Sequence, residues 1–141
     1  MARDLKVLAW ITETGWEACV DAAATLPATQ TTLLHVPQDD LAPGPPLGRR
    51  RRADVEARWV AVTGAAAEAL LDDAARRLGR PARTLSAHGR PEDVVTEAAR
   101  DADVLVLVRD GRGADPGPHS IGHATRFILD HAPCTVLLAW P

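Results

Sequence analysis

"DVLVLVRDGRGADPGPHSIGHATRFILDHAPCTVLLAW", Asp103 to Trp140, holds the pattern that decides the fold. It opens on an apolar run, DVLVLV, and closes on another, TVLLAW. Neither run alternates with polar residues, as expected of strands covered on both faces. Between them, IGHATRFILDHA sets Ile121, Ala124, Ile128 and Ala132 at the spacing of one helix face. Strand, helix, strand in that order predicts a right-handed parallel crossover. The remaining piece, Arg109 to Ser120, is rich in glycine and proline. It reads as a plain turn or as a backbone cradle for phosphate.

The same alternation runs back to the start of the chain. KVLAWI (Lys6–Ile11) is a first strand, and GWEACVDAAATL a helix that ends before Pro27. TTLLHV (Thr31–Val36) is a second strand. Residues 37–52, PQDDLAPGPPLGRRRR, read as a flexible loop, because its four prolines and two glycines oppose regular structure. The longest helical pattern follows, with Val55, Trp59, Val62, Ala66 and Leu70 expected on its core face and Gly79 and Pro81 stopping it. ARTLSAH is a third strand. PEDVVTEAARD is a third helix, where Pro91 suits the first turn and Glu92 and Asp93 complement the helix dipole. Five strands alternating with four helices define the α/β class and a parallel sheet.

Composition bounds the function. A chain of 141 residues suits one domain, 1–141, with one core. A formal net charge of −3 argues against a polyanion-binding surface over the whole molecule, and no nucleic-acid partner is expected. No apolar run approaches the ~20 residues of a membrane span. The N-terminus lacks the pattern of a signal peptide, and Cys19 and Cys134 match no metal spacing. Both cysteines read as reduced core residues of a cytoplasmic protein.

Taken in order, KVLAWIT, LLHV, AHGRPEDVVTEAARDADVLVLV and GHATRFILDHAPCTVLLAW resemble the universal stress protein family over nearly the whole chain. Each piece is weak; their order and spacing make the resemblance specific. The resemblance implies a flavodoxin-like, Rossmann-like three-layer sandwich with a five-stranded parallel sheet of order 3-2-1-4-5. It implies homodimers through the last strand and, in one branch, bound ATP.

In such a sheet a ligand sits beyond the carboxyl ends of the strands, where the strand order reverses. Here that lies between strands one and four, at Thr12–Thr14 and Asp110–Ile121. Gly113 and Gly122 permit close backbone approach, and the amides of His123, Ala124 and Thr125 open the last helix. The Thr125 hydroxyl is a candidate phosphate donor, with His119, Arg112 and Arg126 as nearby cations. The resemblance adds Val36, at the end of LLHV. It also exposes departures from the ATP-binding branch. That branch spaces Gly, two residues, Gly, nine residues and Gly-Ser. Here the first Gly is Asp110, only Ala114 to Ile121 separate Gly113 from Gly122, and the Ser is His123. Thr12 stands where the branch has a ribose-binding carboxylate, and Glu13 beside it is expected to point elsewhere.

Asp110 sets like charge against a triphosphate, at a cost on the order of 1–4 kcal/mol. Loss of the ribose carboxylate removes a charged hydrogen bond of roughly 1.5–3 kcal/mol. Pro116 and Pro118 remove two backbone donors. The reading is therefore a stress-response binding domain with a modified pocket, in which ATP, or another adenine nucleotide, binds weakly or not at all. A nucleotide-hydrolysing enzyme using the same crevice is the alternative, with Asp110 or Asp115 holding a metal. An interaction protein with an empty pocket is a third reading.

Other features have plainer readings. Arg49–Arg52 reads as a solvated loop end. His119, His123 and His131 lack a carboxylate or thiol to complete a metal set. His35 and His88 read as packed or hydrogen-bonded. Trp10 and Trp59 read as core. No catalytic residue is assigned, since no Ser-His-Asp or Cys-His arrangement is present at a usable spacing. TVLLAW is an uncharged edge strand, a hazard unless paired. Thr135–Trp140 is therefore the expected homodimer seam, with Trp140 as an anchor.

Overall fold

A computed structural model describes residues 4–37, 49–109 and 121–141, with residues 49–63 described by backbone alone. Five strands are present: β1 (Lys6–Trp10), β2 (Gln30–His35), β3 (Arg83–Ser86), β4 (Val104–Val108) and β5 (Thr135–Ala139). The α-helices are α1 (Trp16–Ala24), α2 (Arg49–Leu78), α3 (Pro91–Ala98) and α4 (His123–His131). A 3-10 turn at Ala99–Asp101 continues α3. The sheet is parallel throughout and runs β3-β2-β1-β4-β5, the order expected of a flavodoxin-like sandwich.

The central strands β1 and β4, past Lys6, are apolar on both faces because both faces are covered. Val7, Ala9, Ile11, Leu33, Val106 and Val108 pack with Cys19, Val20 and Ala23 of α1 and Leu71, Ala74 and Leu78 of α2. Leu8, Trp10, Leu34, Val36, Leu105 and Leu107 pack with Val95 of α3, with Ala99 just after it and with Ile128 of α4. Each fully buried Leu or Ile contributes roughly 1.5–3 kcal/mol relative to exposure.

Several boundaries differ from the sequence reading. Helix α2 begins at Arg49, so Arg49–Arg52 form its first turn and are not the end of a loop. Residues 38–48 lie outside the described residues. The early start of α2 follows from propensity: arginine is a strong helix former, and no proline follows Pro46 until Pro81. The core face of α2 is Ala67, Leu71, Ala74 and Leu78, one position on from the expected Ala66 and Leu70. In an alanine-rich helix the apolar stripe is broad, and the pattern alone does not select its centre. The side chains of Val55, Trp59 and Val62 lie outside the described set. His88 is exposed beyond β3 and is not packed. Strand β5 ends at Ala139, so Trp140 lies one residue past it, 46% exposed, with the Arg109 guanidinium 4.6 Å from its ring centre.

Side-chain hydrogen bonds fasten the layers. Arg80, beyond α2, donates to the carbonyls of Leu26 (2.8 Å) and Ala23 (3.0 Å) and to Thr31 Oγ1 (3.2 Å). It thus gives a second donor to the Ala23 and Leu26 carbonyls, which also accept the amides of Leu26 and Ala28 at the C-terminal end of α1. Arg77 grips Asp21 with two bonds of 2.8 and 2.9 Å, tying α2 to α1 across the surface. That pairing holds the Asp21 carboxyl below its ordinary range, through the hydrogen bond first and then the Arg77 charge.

Candidate functional site

Parallel strands carry their carboxyl ends to one side of the sheet. Because β1 and β4 are neighbours, the segments after Trp10 and Val108 leave the same edge side by side. The turn after β1 is made by Gly15, at φ +80°, in the left-handed region. A Cβ on Gly15 would stand 2.8 Å from Val108 Cγ1. Glycine therefore lets α1 start against the end of β4.

A cavity of about 280 Å³ opens at this edge, lined by Trp10, Thr12, Glu13, Thr14, His35, Val36 and Pro91. Trp10, Val36 and Pro91 supply apolar walls. Pro91 reaches the rim because it opens α3 directly after the turn at Gly89, whose φ is +133°. The Thr12 hydroxyl donates to the Thr14 carbonyl at 2.8 Å, folding the β1 loop back on itself. His35 is buried, and its Nδ1 lies 2.7 Å from the Ile11 carbonyl oxygen. A carbonyl only accepts, so Nδ1 carries the hydrogen. Among the described residues the cavity lining holds no lysine or arginine.

Of the residues singled out from sequence, Thr12 and Val36 line this cavity. Gly122 is the N-cap of α4, and His123 and Ala124 begin the helix, His123 being exposed. Thr125 is fully buried, so a phosphate would reach its hydroxyl only after its neighbours moved. None of residues 122–125 lines the cavity between β1, β2 and α3. Asp110, Gly113, Asp115 and His119 lie outside the described residues. Glu13 corrects the sequence reading: it lines the cavity beside Thr12. Strand β1 ends at Trp10, so the side-to-side alternation of strand side chains does not extend to Thr12 and Glu13. His35, read as packed or hydrogen-bonded, is both, and it also lines the cavity, which the sequence reading did not give it. The available signal was its place one residue before Val36, at the carboxyl end of β2.

Behind the cavity wall, Cys19 is sealed between α1 and the sheet. Its Sγ lies 3.3 Å from the Trp10 carbonyl oxygen and 3.6 Å from that of Val106. Burial pushes its thiol up to about 12. Cys134 is also a free thiol, partly buried, and desolvation raises it too. Among the described residues no cluster of His, Cys, Asp and Glu is grouped to hold a metal ion.

A parallel sheet of order β3-β2-β1-β4-β5 covered by helices on both faces, with a cavity at the carboxyl ends of β1 and β2, defines a flavodoxin-like α/β domain. The universal stress protein family model matches residues 12–139, and the chain belongs to that family. No protein of curated function matches it. The fold is similar to that of the universal stress protein UspA of Lactobacillus plantarum, at 22% identity and TM-score 0.67, covering 99% of each chain. It is also similar to a universal stress protein in complex with cAMP, at 16% identity and TM-score 0.61, covering 98% of each chain. A third similar structure is an Arabidopsis thaliana family member with AMP bound, at 17% identity and TM-score 0.59, covering 96% of this chain and 90% of that one. Among the described residues no helix is long and apolar enough to cross a membrane.

Proposed function

We propose that this chain is a regulatory binding module of the stress response, a cytoplasmic homodimer whose crevice takes the nucleoside part of an adenine nucleotide and holds ATP weakly or not at all. The observation that carries this reading is the cavity lined by Thr12, Glu13, His35 and Val36, with no lysine or arginine among its described lining residues. Its apolar walls suit a flat base, and its polar side chains suit sugar hydroxyls. A triphosphate needs concentrated positive charge or backbone donors. The candidates for that work are Gly113, the helix start at Gly122–Thr125 and the arginines near them, and Asp110 opposes them. Relatives of the same fold bind AMP or cAMP, which favours a ligand with fewer phosphates than ATP.

The dimer half of the reading rests on β5. It is an edge of the sheet, and Val136, Leu137 and Leu138 are only half-buried. Pairing Thr135–Trp140 with a second copy would cover that edge.

Native mass spectrometry of freshly purified protein tests both halves. The expected result is a dimer mass, with no ATP retained. Calorimetric titration with AMP, cAMP and ATP should then rank ATP weakest. A tightly held ATP would overturn the reading of Asp110 and Thr12. Magnesium-dependent phosphate release, lost in Asp110→Ala, would replace the binding module with a hydrolase.

A further inference from the structure

We infer that His35 determines the crevice's specificity, its Nε2 accepting a hydrogen bond from a hydroxyl or amine of the ligand's neutral part. This rests on the reading that the crevice binds a nucleoside. Three observations carry it. First, the Nδ1 hydrogen is committed to the Ile11 carbonyl at 2.7 Å, which fixes the tautomer and leaves Nε2 with a lone pair. Second, among the described residues no hydrogen bond reaches Nε2. It is also not sealed away: among the described residues, Arg80 Nε is the buried side-chain nitrogen left without a partner. A buried imidazole whose second nitrogen is neither bonded nor sealed, in a residue that lines the cavity, turns that nitrogen to the cavity. Third, the polar neighbours have the same character. The Thr12 hydroxyl hydrogen is committed to Thr14, so its oxygen offers lone pairs, and the Glu13 carboxylate can only accept.

Three acceptor side chains from two strand ends therefore meet in one cavity; the side-chain donors among its described walls are the Trp10 indole and the Thr14 hydroxyl, whose oxygen also accepts. Such a lip selects a ligand that brings adjacent donors of its own, a vicinal diol above all. It disfavours a ligand that lacks them, because the acceptors are then desolvated without partners. His35 thereby adds to the work that a carboxylate at position 12 would do.

The test uses two neutral probes without phosphate, adenosine and 2′,3′-dideoxyadenosine, titrated calorimetrically into the whole protein. Wild type should bind adenosine at least about tenfold more tightly. His35→Asn keeps a donor near the Nδ1 position and removes the Nε2 acceptor. It should lower adenosine affinity about tenfold and leave dideoxyadenosine unchanged. Thr12→Val should narrow the same preference without touching His35. A His35→Asn protein that keeps the wild-type preference assigns His35 a packing role and overturns the inference, while the crevice reading stands. Equal binding of both probes by wild type overturns it without any variant. Binding of neither probe by wild type removes the crevice reading itself, and the inference with it.

Discussion

Cys19 Sγ lies 3.3 Å from the carbonyl oxygen of Trp10, so a thiol of α1 donates to the last residue of β1, directly behind the cavity wall. The contact holds only while the thiol keeps its proton. With its ionisation pushed from about 9 to about 12 by burial, the folded state retains a proton that the unfolded chain releases. The associated stability is complete below pH 9 and is lost as pH rises toward 12. Denaturant unfolding between these pH values should show a decline in wild type that is flattened in Cys19→Ala. Superimposable pH profiles would show that the thiol stays unionised in both states or is more open than it looks. Alkylation at pH 8 should label Cys134 well before Cys19.

Gly15→Ala should destabilise the protein by about 2–4 kcal/mol. One part is the cost of a left-handed backbone for alanine, the other the crowding of its Cβ against Val108. Chemical denaturation gives the figure. A change under about 0.5 kcal/mol would mean that the β1 turn rearranges freely, and the Thr12–Thr14 loop with it.

Arg80→Met keeps the aliphatic stem and removes the guanidinium that serves Ala23, Leu26 and Thr31. The expected loss is about 2–4 kcal/mol. Hydrogen exchange should show it first at the C-terminal end of α1, where the Ala23 and Leu26 carbonyls lose one of their two donors. Uniform loosening of all elements would refute this local assignment.

Sedimentation tests the β5 seam. Wild type should run as a dimer at micromolar concentration, and Trp140→Ser should weaken association by about tenfold. A wild-type monomer would leave the half-buried face of β5 to some other partner.

Much of the fold was readable because it is written in continuous apolar runs. VLAW and VLVLV carry no charged residue, since both faces of the central strands are covered. The order of the strands was a different matter: it came from the resemblance, because periodicity does not say which strands are neighbours. Element ends were harder. Arg49–Arg52 sit where loop composition meets helix propensity, and helix prevails. The site was half readable. Thr12 and Val36 follow from the topology of strand ends. Glu13 and His35 depend on where a strand stops and which ring nitrogen is already committed, and neither is encoded in residue spacing.

The position of Trp10 has a practical side. Its indole forms part of the cavity wall, while Trp140 stands at the far end of the chain against Arg109. Replacing Trp16, Trp59 and Trp140 by phenylalanine would leave a single fluorophore whose emission reports, without any added label, on whatever enters beside it.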